Sequence, residues 1–426
     1  MRQLKSMTLH DWRQFKRLEL DFDAPVTFLT GANASGKTTV LRVINLLVGW
    51  SHEFSAIHSF NQNEEGKYIP DTFTGVDKGS PDNRHRSVGT VVFSNSNFNN
   101  EKQSLRIHYN QEKSGYHLSR HFDNPTIELH ALDSKIYGFY LPAGRQIARR
   151  FRSKPLSAEF KGFNSLKAEL DSLYEELEAT GSSSELPYGT IKQALMQVNL
   201  FSNANVLDAN EFEYAIENFN RLLREILPDE INFNSLLFYS SDIELSCGNG
   251  MRFSIDEVSG GVSSLLNLVW QLFVCSMINM DCLVLIDEPE NHLHPKLQRT
   301  LFPKLIKAFP TFQFVAATHS PVILGSVQDA NVYALKFNDE GLVESLDVSD
   351  KLKSPATADD MLQEILGVEV LEPQWVAAAI DELVKDFESK ELSEKSLDEL
   401  RSKMMSMGME HSFVRTLHEI DKLKRK

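Results

Sequence analysis

The segment Gly31-Ala-Asn-Ala-Ser-Gly-Lys-Thr38 meets every fixed position of G-x-x-x-x-G-K-[ST], and it constrains this chain more than any other feature. Before it, Val26-Thr-Phe-Leu-Thr30 has the composition of a buried strand. After it, Thr39-Val-Leu-Arg-Val-Ile-Asn-Leu-Leu47 has that of a helix. A strand, a glycine-rich loop and a helix in this order let backbone N–H groups close around phosphate oxygens, at the positive end of the helix dipole. The expected cradle residues are Gly31, Asn33, Ser35, Gly36, Lys37, Thr38 and Thr39. Lys37 is expected to reach the β- and γ-phosphates of ATP, and the Thr38 hydroxyl to hold Mg²⁺.

The second half of such a site lies far downstream. Cys282-Leu-Val-Leu-Ile286 is a continuous apolar run, as in a strand buried on both faces of a parallel sheet. It delivers Asp287 and Glu288 to its C-terminal end, where open α/β sheets bind ligands. Asp287 suits the Mg²⁺ shell, and Glu288 suits the general base that deprotonates the attacking water. Glu257-Val-Ser-Gly-Gly-Val-Ser263 leads into the apolar helix Leu265–Phe273, so Ser259, Gly260 and Gly261 offer a hydroxyl and free N–H groups to an anion. A further strand, Phe312–Thr318, ends in His319-Ser-Pro321, which makes His319 a candidate phosphate sensor.

These four elements, in this order, resemble the ABC-type ATPase head. The nearest branch contains SMC and OLD-like proteins, recombination-mediator ATPases, and the ATPase subunits of anti-phage systems of the PARIS or Septu type. Gly31 to Thr38 match Walker A, Ser259 to Gly261 the signature core, Leu283 to Glu288 Walker B, Asn291 to His294 the D-loop position and His319 the switch histidine. Leu9 to Phe22 resemble the branch's first hairpin. The signature departs from Leu-Ser-Gly-Gly-Gln, with Val258 before the serine and Val262 after the second glycine. The resemblance implies an α/β head with a mixed central sheet, an antiparallel β layer, a short helical insertion and a helical C-terminal tail. It also implies that Ser259 faces the nucleotide of a second copy, giving a homodimer or higher homo-oligomer around ATP. Gln146 is the candidate Q-loop glutamine and metal contact, with a plain surface glutamine as the alternative.

The resemblance divides the chain into an ATPase lobe (1–155), a helical insertion (156–228), a second lobe (229–350) and a helical segment (351–426). Within the insertion, Leu166, Leu170, Leu173, Tyr174 and Leu177 recur at helical spacing, and a second helical stretch covers Glu211 to Ile226. No sustained heptad run extends these into a coiled-coil arm. Beyond residue 350, helices are expected over Asp359–Leu366, Gln374–Phe387 and Ser393–Leu423. Their acids read as solvated charge and not as a nuclease metal cluster.

Composition sets the outer limits. An apolar fraction of 42% supports a sizeable core, and the formal charge of −15 argues against a broadly nucleic-acid-coating surface. Local basic grooves remain open at Arg145, Arg149, Arg150, Arg152 and Lys154, at Arg84 and Arg86, and at Lys422 to Lys426; solvated faces are the alternative. Three cysteines without regular spacing fit reduced, buried thiols. Residues 1–25 lack an apolar signal core, and no long apolar run indicates a membrane span, so a cytoplasmic location is expected. The expected function is ATP hydrolysis by a sensor or scaffold that controls a separate effector, such as a nuclease, in anti-phage defence. The alternative is a DNA repair or recombination ATPase that binds DNA directly.

Overall fold

The computed structural model describes residues 2–46, 48, 53–55, 57–60, 68–71, 85–95, 98–110, 115–122, 137–143, 162–180, 187–202, 209–239, 242–350, 374–388, 394–413, 416, 417 and 420. They form two compact units, Met1–Met361 and Leu362–Lys426.

The first unit is organised by a 12-stranded sheet. Its strands come from β1 (Arg2–Trp12), β2 (Phe15–Asp21), β3 (Val26–Gly31), β4 (Glu53–Ser55), β7 (His85–Asn95), β8 (Phe98–Asn110), β9 (Gly115–Phe122), β10 (Gly138–Leu141), β14 (Leu283–Asp287), β15 (Gln313–Ala317), β16 (Asn331–Phe337) and β17 (Val343–Asp347). A hairpin of β5 (Ile57–Phe60) and β6 (Tyr68–Asp71) stands apart from it. So does a three-stranded sheet of β11 (Phe233–Phe238), β12 (Ile243–Cys247) and β13 (Arg252–Ser254).

In the large sheet, β10, β14, β15, β3 and β16 are neighbours in that order and all parallel. Every residue of β3 and β14 is buried, the mark of strands covered on both faces. Beyond β16 the sheet continues through β17, β2, β1, β7, β8, β9 and β4. β16 pairs antiparallel with β17, β17 parallel with β2, and the remaining strands antiparallel in turn, so the antiparallel layer is joined by hydrogen bonds to the parallel core.

β15 lies between β3 and β14, with Asp287 level with Ala317 and Ala317 level with Leu29. Two strand spacings separate the acid-bearing strand from the P-loop strand, about 9.6 Å. That gap holds the site.

Three helices of the insertion, Phe163–Thr180, Pro187–Ser202 and Ala209–Ile226, surround the apolar helix Gly260–Ile278. Phe219 meets Trp270 edge-on at 5.3 Å and Phe273 at 5.1 Å, and Phe163 meets Phe273 at 5.8 Å. Buried Tyr174 and Asn267 exchange a hydrogen bond at 2.8 Å. Gly260–Ile278 is long and apolar enough to cross a membrane, yet 78% of its most apolar window is buried inside the fold. Cys247, Cys275 and Cys282 are free and buried.

The second unit has its own core, built from Val376, Ile380, Leu383, Val384 and Phe387 of helix Gln374–Glu388 against Leu400, Met404, Met409 and Ile420. The helix expected over Ser393–Leu423 instead runs Glu394–Ser406 and stops. Gly408 takes φ 71°, and its N–H donates to Met405 O at 3.1 Å while Met409 N–H donates to Met404 O at 2.8 Å. This is a Schellman stop, with Met404 and Met409 as its apolar contact. The helix expected over Asp359–Leu366 lies outside the described residues.

Candidate functional site

The loop after β3 is shaped by close approach. Gly31 takes φ 138° and Gly36 φ 93°. A Cβ on Gly31 would stand 2.3 Å from Leu335 O of β16, and one on Gly36 would stand 2.3 Å from Gln14 Nε2 and 2.6 Å from the Phe15 ring. Only glycine lets β16 and the tip of the β1–β2 hairpin come this close to the loop. Ala34 also lies in the left-handed region at φ 64°, so the loop carries backbone strain. Helix Lys37–Asn45 starts at once, with Val40 N–H bonded to Gly36 O at 2.9 Å.

Lys37 is buried, and its ammonium donates to Gly31 O at 3.0 Å and Ala32 O at 2.9 Å. Burial lowers its pKa, while Asp287, Glu288 and Glu290 pull it back up. Ser35 Oγ is buried without a hydrogen-bond partner. Asn33 is exposed and Thr39 half-buried. A buried cation, an unpartnered hydroxyl and a backbone cradle that a Cβ would fill together fit a polyphosphate.

Thr38 Oγ1 donates to Asp287 Oδ2 at 2.7 Å, joining residues 249 apart in the chain across the gap between β3 and β14. A hydroxyl and a carboxylate are hard oxygen donors. They fit a Mg²⁺ ion, which keeps few protein ligands and completes its shell with phosphate and water. Gln146 and the cluster Arg145 to Lys154 lie outside the described residues, as do Arg84 and Lys422 to Lys426.

Glu288 follows β14 at φ 48°. Its N–H donates to Ala317 O at 2.9 Å, and its Oε2 accepts from Asn291 Nδ2 at 2.8 Å. Asn291 Nδ2 also donates to Ala143 O at 3.1 Å, just past β10. The amide thus uses both protons to set the carboxylate against the neighbouring strand end. His319 stands at the exit of β15, half-buried. Burial lowers its pKa, Lys37 lowers it further, and Glu290 and Glu288 act in the opposite sense. Lys37, Thr38, Asp287, Glu288 and His319 therefore converge at the C-terminal ends of β3, β14 and β15.

Ser259 is exposed and precedes helix Gly260–Ile278 without a side-chain capping bond, so its hydroxyl does not satisfy the first N–H groups of the helix. Gly261 packs against the next loop, since a Cβ there would stand 3.0 Å from His292 O. His292 takes φ 66°, and His294 caps helix Pro295–Ala308 through its ring nitrogen.

Three contacts escape sequence reasoning: Gln14 above the P-loop, Asn291, placed in the sequence only at the D-loop position, on Glu288, and Glu290 on the His319 backbone. Their spacing carries no phosphate or metal pattern. The only available signal was the unusual run Pro289-Glu-Asn-His-Leu-His-Pro295 after two strand-end acids.

Comparison with known proteins places this geometry in a family. A protein of Vibrio cholerae named "Retron Vc95 probable ATPase" is 24% identical over 410 residues, spanning 83% of this chain and 76% of that protein. The "Septu protein PtuA" of Bacillus thuringiensis is 25% identical over 264 residues, spanning 54% of this chain and 60% of that protein. A crystallised Smc head bound to the C-terminal winged-helix domain of ScpA superposes with a TM-score of 0.50 at 15% identity, covering 82% of this chain and 99% of that one, so the ABC-type head fold is shared. The family model described as "AAA domain, putative AbiEii toxin, Type IV TA system" matches residues 26–325, the span that holds β3, Ser259, β14 and His319, and the chain belongs to that family.

Proposed function

We propose that this chain binds and hydrolyses ATP as one half of a homodimeric head, and that the ATP state controls a separate effector in anti-phage defence. One observation carries the hydrolytic part: Thr38 and Asp287 meet at 2.7 Å at a loop that buries Lys37. In this reading the loop N–H groups and Lys37 hold the phosphates. Mg²⁺, when bound, neutralises charge on the phosphate oxygens. Thr38 and Asp287 would hold it. Glu288, steadied by Asn291, takes a proton from water as the water oxygen attacks the γ-phosphorus. The bond to the β-phosphate oxygen then breaks, releasing ADP and phosphate. His319, whose pKa burial and Lys37 hold down in the free chain, presents a ring N–H to the γ-phosphate edge.

Dimerisation is supported by the exposed Ser259 hydroxyl at the start of its helix and by the signature resemblance. Defence is supported by similarity to proteins named for retron and Septu systems. The insertion's apolar residues already cover Gly260–Ile278, which leaves the second unit as the segment proposed to hold the effector.

Three measurements test the core of this. Lys37→Ala should weaken ATP binding, whereas Glu288→Gln should retain binding and slow turnover about 10²–10⁴-fold. Wild-type turnover in Glu288→Gln puts the general base elsewhere. Sedimentation with a non-hydrolysable ATP analogue should show a dimer for wild type and a monomer for Ser259→Arg. A wild-type monomer with full ATPase activity removes the sandwich.

A further inference from the structure

The loop after β14 holds a carboxylate to which the hydrolytic reading gives no role. Glu290 stands two residues beyond Glu288, and both of its oxygens are engaged at the exit of β15. Oε2 accepts from Thr318 Oγ1 at 2.8 Å, and Oε1 accepts from the His319 backbone N–H at 2.7 Å. Both contacts are charge-assisted, and short bonds of this kind are roughly twice as strong as neutral ones. A glutamine at this position would have one acceptor oxygen for two donors.

The contact is part of a closed circuit. Thr318 Oγ1 accepts from Ser320 N–H at 3.0 Å, and Ser320 Oγ donates to Gln298 Oε1 at 2.7 Å. Gln298 Nε2 donates to Leu293 O at 2.8 Å, and Leu293 N–H returns to Glu290 O at 2.9 Å. The ring ties the loop after β14 to the segment that carries the switch histidine. The backbone of that segment is fixed on its other side by Thr318 N–H bonded to Leu29 O at 2.9 Å. His319 thus projects from a backbone held both by the P-loop strand and by Glu290.

We propose that Glu290 is the positioning residue of His319, acting on the nucleotide only through that side chain. The inference rests on the ATPase reading above. A mere loop staple would use any polar side chain and would affect stability alone. This one engages the amide of the sensor residue itself, on the side of the sheet where Lys37 and Glu288 lie.

The first test needs no nucleotide. Hydrogen exchange of the free full-length chain should show the His319 amide exchanging at least about tenfold faster in Glu290→Ala, as expected when a charge-assisted bond is lost. Amides of β14 should keep their protection, which shows that the fold is intact. Glu290→Gln keeps the shape and one acceptor, so it should lie between wild type and alanine. The second test is a kinetic cycle. Glu290→Ala should leave equilibrium ATP affinity within a few-fold and lower kcat about 10²-fold, the scale of a misplaced group. In the double variant with His319→Ala, kcat should be no lower than in His319→Ala alone. Unchanged His319 exchange in both Glu290 variants overturns the clamp, and multiplicative losses in the double variant overturn its action through His319. A wild-type chain that hydrolyses no ATP overturns the ATPase reading and the kinetic role with it, a failure that the exchange experiment distinguishes from loss of the clamp.

Discussion

At the scale of single residues, close packing around the P-loop makes a sharp prediction. Gly36→Ala places a methyl group 2.3 Å from Gln14 Nε2 in a backbone at φ 93°. Left-handed strain alone costs about 1–3 kcal/mol, so this variant should melt lower and lose the ATP-induced rise in Tm. A normal shift with ATP would mean that the hairpin tip moves aside freely. His319 gives a second prediction, with the sign set by linkage. Burial and Lys37 hold its pKa below the ordinary 6.5, so the unfolded chain takes up a proton first as pH falls. The stability linked to His319 is therefore full above pH 6.5 and falls as pH drops through that value toward the lower folded pKa. An NMR titration of the His319 ring should show a midpoint below 6.5; one at or above it contradicts the electrostatic account. The roles of Asn291 and Glu290 could not be read from the chain, because each depends on what stands opposite once β10, β14 and β15 are aligned.

Elements with a clean pattern were legible, and those whose pattern is mixed or short were not. β3, β14 and β15 announce themselves as apolar runs, and helix Phe163–Thr180 shows its stripe through Leu166, Leu170, Leu173, Tyr174 and Leu177. Helix Pro187–Ser202 falls inside the expected helical insertion but was not singled out, because buried Thr190 and Lys192 and exposed Leu200 blur the apolar-in, polar-out pattern. The sheet of β11, β12 and β13 was also missed: its strands are only six, five and three residues long, too short for a period to stand out. Lys192 links these two hidden elements. Its side chain is 4% exposed and bonds Asp256 at 2.5 Å and Asp242 at 2.8 Å, with Asp256 three residues before Ser259. Removing the cation strands buried carboxylate charge, so Lys192→Ala should lower the unfolding free energy by about 3–5 kcal/mol in urea titrations. A loss below about 1 kcal/mol would place the network in the class of solvent-screened surface pairs.

At the scale of the whole molecule, the candidate site residues and the C-terminal helices belong to separate units. Lys37, Ser259, Asp287, Glu288 and His319 all fall within Met1–Met361, whereas Leu362–Lys426 has a core of its own. A chain ending at Met361 should therefore fold and keep its ATP-dependent thermal shift; loss of both would mean that the first unit needs the second. The sequence by itself determined the chemistry on offer, because phosphate cradles and strand-end acids need particular residues at short, local spacing. It also determined which strands are central, because burial on both faces demands unbroken apolar runs. Tertiary structure alone decided the order of those strands. With β15 between β3 and β14, Thr38 must reach across to Asp287, and His319 lies beside Glu290. Sheet order is set by packing between segments far apart in the chain, and local residue pattern has no term for it.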